Sequence, residues 1–149
     1  MSLSQDIMAA LKTAMKNKDK VALTALRAVK SAILLAQTES GAKEELTEGQ
    51  ELKILQKQVK QRKDSAAVYL EQGREDLAEP ELAEAKVISQ FLPEAMSEDD
   101  VANIVGTIIA KIGAQGMKDM GKVMGLVSVE LAGKADGKTI SNIVKTKLS

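Results

Sequence analysis

The sequence contains no cysteine, no histidine and no tryptophan, and it has one phenylalanine and one tyrosine. Without cysteine the chain cannot form a disulfide, a thiolate metal site or a cysteine nucleophile. Without histidine it lacks the commonest general base and the commonest metal ligand in proteins. These absences argue against a stand-alone enzyme, so we predict no catalytic residues, no metal and no cofactor in this chain.

The shortage of aromatic residues also bears on the fold class. Apolar residues make up 44% of the chain, which is enough for a core. Strands favour aromatic and β-branched residues together, whereas helices favour Ala, Leu, Met, Glu, Lys and Gln. The composition therefore predicts an all-α protein.

Long apolar runs are missing as well. We find no stretch that approaches the roughly 18 apolar residues needed to span a bilayer. The N-terminus does not follow a signal-peptide pattern, because Asp6 interrupts it. We therefore expect no membrane partner and a cytoplasmic location.

The charges balance in total but not along the chain. Lysine plus arginine and aspartate plus glutamate both number 21, so the formal net charge is +0. From Glu71 to Asp100 there are ten acids and two bases, and from Lys111 to Ser149 there are seven lysines and three acids. A neutral total hides an acidic middle and a basic C-terminal region.

Helical periodicity and capping signals divide the first part of the chain into four to five helices. Capping boxes begin helices at Ser2 and Thr47, and Ser40 and Gly41 open a polar loop between helices. A later helix carries Pro80, which we expect in its first turn. Apolar residues that we assign to buried helical positions include Ile7, Leu11, Leu26, Val29, Ile33, Leu55, Val59, Ala66, Leu82, Ala85 and Ile88.

The segment from Pro93 to Ser97 is the best domain boundary, which predicts domains at residues 1–94 and 95–149. Ser97 is expected to cap a helix whose first turn is acidic, and Asp136 to cap the last of three helices in the tail. The acids Glu98, Asp99 and Asp100 could hold a metal. We interpret them instead as partners of the helix dipole.

Glycines are the first candidates for a binding role. The tail has no P-loop, because no Gly-Lys-Ser/Thr follows a strand. Gly121 and Gly125 lie four positions apart on one helical face. This spacing favours close helix packing, and the alternative is a face turned toward phosphate.

Lysines supply two candidate surfaces. Lys53, Lys57 and Lys60, flanked by Arg62 and Lys63, form either an ordinary solvated helix face or a contact for phosphates or an acidic partner. A second set lies near helix ends and loops of the tail, and it is either plain surface or a site for a nucleic-acid backbone. This second set is Lys118, Lys122, Lys134, Lys138 and Lys145.

The two aromatic residues bear on which kind of nucleic-acid contact is possible. We place Tyr69 and Phe91 in the core. Without exposed aromatic rings a base-stacking surface is not expected.

Two stretches of the chain match a known pattern. The first, residues 60–101, reads KQRKDSAAVYLEQGREDLAEPELAEAKVISQFLPEAMSEDDV. The second, residues 118–147, contains KDMGKVMG, GKADGK and ISNIVK. Because several phrases agree in order and spacing, the chain resembles the GatB/YqeY family, and specifically its free-standing YqeY-like members, over about its whole length.

The resemblance implies an N-terminal helical domain joined to a three-helix tail. In the glutamine-dependent tRNA amidotransferase a similar tail helps to hold the tRNA, while the chemistry lies in regions that this sequence does not contain. A label such as carbon–nitrogen ligase with glutamine as amido donor would therefore be inherited by similarity. The matching tail positions are Gly121, Lys122, Val123, Met124, Gly125, Gly133, Lys134, Ala135 and Lys138, and Gly137 stands where the amidotransferase tail often has Pro.

Two hypotheses about function follow. The favoured one is a non-catalytic accessory protein that binds tRNA through the lysines of its tail. The rival is a helical protein–protein adaptor with no RNA role, which would use the acidic middle or the Lys53–Lys63 face.

Overall fold

A computed structural model describes residues 2–39 and 46–149, so the loop expected at Ser40 and Gly41 lies outside the described residues. All regular structure in the described ranges is helical, which confirms the all-α prediction. The chain divides into two compact units, Met1–Leu92 and Pro93–Ser149. Each unit has a hydrophobic core of its own.

Four helices of the first unit surround an aliphatic core. They are α1 (Leu3–Asn17), α2 (Lys20–Glu39), α3 (Glu48–Glu71) and α4 (Glu75–Ser89). The core draws on α1, on α2, on the first half of α3 and on the end of α4. Its buried members are Ile7, Leu11, Ala14, Ala22, Ala25, Leu26, Val29, Ile33, Leu55, Val59, Ala85 and Ile88.

Helix starts follow the capping signals in the sequence. The Ser2 hydroxyl accepts from the Gln5 amide, and the Gln5 side chain accepts in turn from the Ser2 amide, which confirms the first capping box. Thr47 and Gln50 repeat the arrangement at the start of α3. Reciprocal bonds of this kind satisfy amides that a helix start would otherwise leave without partners.

Helix α2 is the one described helix long and apolar enough to cross a membrane, with a mean hydropathy of 1.3 over its best window. It nevertheless carries Arg27 and Lys30. Five of its residues are buried in the core of the first unit. The expectation that no stretch approaches the length and hydropathy of a membrane span is wrong for α2. Only 28% of the apolar window is buried, and Leu34 and Leu35 are exposed. Because its buried residues belong to the core of the first unit, we interpret α2 as an amphipathic helix of that core.

The expected place of Pro80 is wrong. Helix α4 begins at Glu75, so Pro80 lies inside the helix rather than in its first turn. Gly73, with φ +71, ends α3 in the left-handed conformation, and the acids Glu75 and Asp76 begin the next helix immediately afterwards. Leu82, whose spacing predicts a buried position, is 44% exposed.

The aromatic residues are also less buried than expected. Phe91 is half-buried and packs at the margin of the first core, and Tyr69 is half-buried outside that core. A charged residue takes a buried place instead: Glu51 is 7% exposed, and the Ser4 hydroxyl donates to its carboxylate at 3.1 Å. No signal in the sequence distinguished Glu51 from its exposed neighbours.

The second unit contains three α-helices and a short 3₁₀ turn. They are α5 (Glu98–Ile112), the turn Met117–Asp119, α6 (Met120–Glu130) and α7 (Gly137–Leu148). Both predicted caps are confirmed, because Ser97 accepts from the Asp100 amide at 3.2 Å and Asp136 accepts from the Thr139 amide at 2.6 Å. The buried core is Val101, Val105, Ile108, Val123, Val127, Leu131, Ile140, Val144 and Leu148.

Replacing Ser97 by Ala should lower the stability of the second unit by about 1 kcal/mol, because the cap bond to Asp100 disappears. Thermal unfolding followed by circular dichroism measures the loss, and Ser97→Asp is the matched control because a carboxylate keeps the cap. Equal melting temperatures for Ser97→Ala and the parent would contradict the assignment of this helix start.

Candidate nucleic-acid interface

The three helices of the second unit run in alternate directions, so the unit has two distinct ends. Short links join the end of α5 to the start of α6, and the end of α6 to the start of α7. The Leu148 carbonyl oxygen lies against Gly116, 3.9 Å from the position that a Cβ atom would take there. At the opposite end the Met96 amide donates to the Lys134 carbonyl at 2.9 Å.

The first of these ends is basic. It joins the C-terminus of α5, the 3₁₀ turn, the start of α6 and the C-terminus of α7, and we call it the basic end. Its lysines are Lys111, Lys118, Lys122 and Lys145, and Asp119 is its one acid. Lys147 also belongs to the last turn of α7, but its Nζ lies beside Gly106 in the middle of α5, 3.7 Å from the position that a Cβ atom would take there. Three of the four lysines were candidates from the sequence, whereas Lys111 was missed because only the fold brings it beside the others.

The opposite end is acidic. Lys134 and Lys138 lie there, in the link between α6 and α7 and in the first turn of α7. They share this end with Glu98, Asp99, Asp100, Glu130 and Asp136, and we call it the acidic end. The five candidate lysines of the tail are therefore separated into a group of three and a group of two.

The helix dipole favours the lysines at two of the three helix ends that meet in the basic end. Lys111 lies in the last turn of α5, and Lys145 and Lys147 lie in the last turn of α7, where positive charge is favourable. Lys118 and Lys122 flank the start of α6, which is the positive end of that helix and has no acid in its first turn. A cation at the positive end of a helix lowers the stability of the fold by about 0.3–1 kcal/mol at low ionic strength.

The start of α6 also lacks a side-chain cap. Asp119 stands at the N-cap position without capping the helix. Its carboxylate accepts instead from the Gln115 amide at 2.7 Å. Two lysines therefore meet at a helix start that has no side-chain cap, which suits an approaching anion, although the Met120 amide already donates to the Met117 carbonyl.

The expected role of Gly121 and Gly125 in close packing is wrong. Both glycines are exposed, and a Cβ atom built on either would meet no atom within 4 Å. The buried side of α6 is formed by Val123 and Val127, so the glycines face the solvent side. They leave the backbone of α6 uncovered beside Lys122.

Gly133 has a different role from the other two glycines of the tail motif. It is buried and adopts φ +79, a left-handed conformation that other residues rarely take. It follows the end of α6, where such a glycine commonly ends a helix. The backbone conformation at this position therefore accounts for the glycine, and no binding role is needed to explain it.

The lysine face of α3 in the first unit is only partly available. Lys53, Lys57, Lys60 and Lys63 are exposed, as expected. Arg62 instead turns toward α4, where its Nε lies 3.5 Å from a Glu84 carboxylate oxygen, and its Nη1 donates to the Gln58 side chain at 2.7 Å. Arg62 therefore joins two helices and does not extend the exposed face.

Acidic residues do not assemble into a metal site in the described ranges 2–39 and 46–149. No group of three or more metal-ligating side chains is placed there to hold an ion. Glu98, Asp99 and Asp100 follow the Ser97 cap in the first turn of α5, where acids complement the helix dipole.

Comparison with known proteins adds the family. A family model described as Yqey-like protein matches residues 4–148. The chain belongs to the YqeY-like family. This finding confirms the resemblance seen in the sequence.

The YqeY-like chain is similar to proteins of two kinds. It is 30% identical to altered inheritance of mitochondria protein 41 of Pyrenophora tritici-repentis, over 93% of this chain and 77% of the relative. With the protein of the same name from Clavispora lusitaniae the identity is 39%, over 60% of this chain and 52% of the relative. The chain is also 34% identical to a glutamyl-tRNA(Gln) amidotransferase subunit of Thermococcus gammatolerans, over 46% of this chain and 12% of that relative.

Replacing Gly125 by Ala should raise the stability of this YqeY-like protein by about 0.5–1 kcal/mol, because alanine is the better helix former and the site is open. Gly133→Ala is the contrasting variant, and it should lower stability by about 1–2 kcal/mol through left-handed strain. Urea unfolding measures both. A loss of stability in Gly125→Ala would mean that the exposed face of α6 is covered in the free protein.

Proposed function

We propose that this YqeY-like protein is a non-catalytic accessory protein that binds tRNA through the basic end of its second unit. The observation that carries the proposal is the grouping of four lysines at one end of a three-helix unit, with two of them placed against the helix dipole. None of the three ion pairs among the described residues involves a lysine of this end. Their charge is therefore available to phosphates.

Two further features support a backbone contact rather than base recognition. The second unit has no aromatic residue on which a base could stack. Gly121 and Gly125 leave the backbone of α6 open beside Lys122, so a sugar-phosphate chain could approach closely. Such a site would recognise the shape and charge of an RNA more than its sequence.

The relationship to a tRNA amidotransferase favours tRNA among RNAs. The Thermococcus relative acts, by its name, on glutamyl-tRNA(Gln), and this chain spans 12% of it. The large remainder of that relative has no counterpart here, so a carbon–nitrogen ligase activity does not transfer with the similarity. A helical protein–protein adaptor with no RNA role is the alternative.

The cytoplasmic location stays a prediction. The fungal relatives are named as mitochondrial proteins. Fractionation of cells that express the full-length protein, with antibody detection, decides between the two compartments.

The purified chain alone should neither hydrolyse glutamine nor convert Glu-tRNA or Asp-tRNA in the presence of ATP. The physical reason is the lack of any histidine or cysteine to act as base or nucleophile. Ammonia release and aminoacyl-tRNA analysis measure the two reactions. Robust turnover by protein free of other subunits would contradict a purely accessory role.

The triple variant Lys118→Ala, Lys122→Ala, Lys145→Ala should bind tRNA more weakly than the parent and with a smaller salt dependence. Each neutralised phosphate releases condensed counterions, so the slope of log affinity against log salt should fall by roughly one unit for each phosphate that the variant no longer neutralises. Fluorescence anisotropy with labelled tRNA from 50 to 300 mM salt, roughly the range over which counterion effects dominate, measures both. The fold should persist, because exposed substitutions shift stability by about 0.5 kcal/mol or less.

Two matched variants locate the site. Lys134→Ala with Lys138→Ala removes the lysines of the acidic end, and it should have the smaller effect because five acids lie at the same end of the unit. Lys53→Ala, Lys57→Ala, Lys60→Ala removes the exposed lysines of α3. If the α3 variant loses tRNA while the basic-end variant binds normally, the first unit is the site. No measurable affinity of the parent at the lowest salt concentration of this range would favour the adaptor.

A further inference from the structure

The outer half of the α3–α4 hairpin lies beyond the core of the first unit. We call residues 64–83 the α3–α4 arm. The core cluster takes Leu55 and Val59 from α3 and Ala85 and Ile88 from α4, but no residue from the arm. Within the arm only Ala66 and Ala78 are buried, each 1% exposed.

Small side chains hold the arm together and leave the large ones outside. Alanines at positions 66 and 78 allow α3 and α4 to approach closely, and the Arg62–Glu84 ion pair joins the helices at the base of the arm. The large apolar residues of the arm are exposed by 38–51%. They are Val68, Leu70, Leu77 and Leu82.

The charge of the arm is mainly negative, although Asp64 is paired with Lys60 just outside the arm, with 3.6 Å between Nζ and Oδ2. Six acids and a single base lie within residues 64–83. That base, Arg74, donates two hydrogen bonds to Asp76 at 3.1 and 3.0 Å, and this contact lowers the pKa of the Asp76 carboxyl. Glu71, Glu75 and Glu79 are exposed and make none of the ion pairs found among the described residues.

Each helix of the arm exposes a row of two acids and one apolar residue. On α3, Asp64, Val68 and Glu71 follow at intervals of four and three, which places them on one exposed face. On α4, Glu75, Glu79 and Leu82 have the same spacing, and here the apolar residue comes last. Each face therefore offers an apolar side chain next to carboxylates.

We propose that the α3–α4 arm is a docking surface for a basic amphipathic helix of another protein. Exposed apolar side chains that have no cover in the free protein mark such surfaces, and lysines or arginines on the flanks of a partner helix would meet the carboxylates. Nucleic acid is excluded as the occupant because the arm repels phosphate. The arm therefore adds a protein partner to the tRNA binding proposed for the second unit, and it does not depend on that binding.

The test uses the full chain and a synthetic peptide probe. The probe is a helical peptide with leucines along one face and lysines along its flanks, and a scrambled peptide of the same composition is its control. Fluorescence anisotropy measures affinity, and amide shifts in ¹H–¹⁵N spectra locate the contact. We expect the helical peptide to bind more tightly than the scrambled one, with shifts confined to residues 64–83.

Two variants of the arm should each weaken peptide binding by about tenfold, because each removes two partly exposed contacts with the peptide. Val68→Ser with Leu82→Ser removes apolar contacts, and Glu75→Gln with Glu79→Gln removes charge. Leu34→Ser with Leu35→Ser is the matched control, because these leucines of α2 are equally exposed, at 51% and 59%. The control should bind the peptide as the parent does, and all variants should keep the parent's tRNA affinity.

Three results would overturn the proposal. Shifts outside the arm would place the peptide elsewhere, and equal binding of the scrambled peptide would reduce the contact to charge alone. The third concerns a second copy of the chain as occupant. If the parent sediments as a dimer and Val68→Ser with Leu82→Ser converts it to the monomer, self-association accounts for the exposed apolar residues of the arm. In that case the proposal of a basic helical partner is wrong.

Discussion

Both units depend on cores made of aliphatic side chains, because the chain has no tryptophan and its two aromatic residues are only half-buried. Burying a Val, Leu or Ile side chain contributes about 1.5–3 kcal/mol, and the two cores contain eight and nine such residues. Alanines bring helices close but fill little volume. The result is two small cores, and several large apolar side chains remain outside both of them.

Local signals in the sequence were sufficient for the helices and their starts. The capping boxes at Ser2 and Thr47 and the caps at Ser97 and Asp136 depend on residues within one turn of each other, and all four form as predicted. The start of α4 was predicted too late in the chain, because the proline is a stronger signal for a first helical turn than the residues at which the helix begins. Arg74 precedes that helix without capping it through its side chain.

The candidate site could not be predicted from the sequence to the same extent, because it depends on which helix ends meet. Lys111 and Lys145 are separated by 34 positions, yet alternation of three helices brings them to one end of the second unit. Lys134 and Lys145 are near in sequence but lie at opposite ends. The face of α6 that carries Gly121 and Gly125 was also ambiguous, because helical spacing does not tell whether a partner helix covers a face.

The acidic end does not cancel the basic end under physiological conditions. Helix α5 has 15 residues, so the two ends of the second unit lie about 22 Å apart at a rise of about 1.5 Å per residue. The Debye length is about 8 Å at physiological ionic strength, which screens the acids from an anion at the basic end. At much lower salt the Debye length reaches about 30 Å, and the acids would then oppose binding. The same two ends would orient the unit toward a polyanion, because only the basic end attracts phosphate at short range.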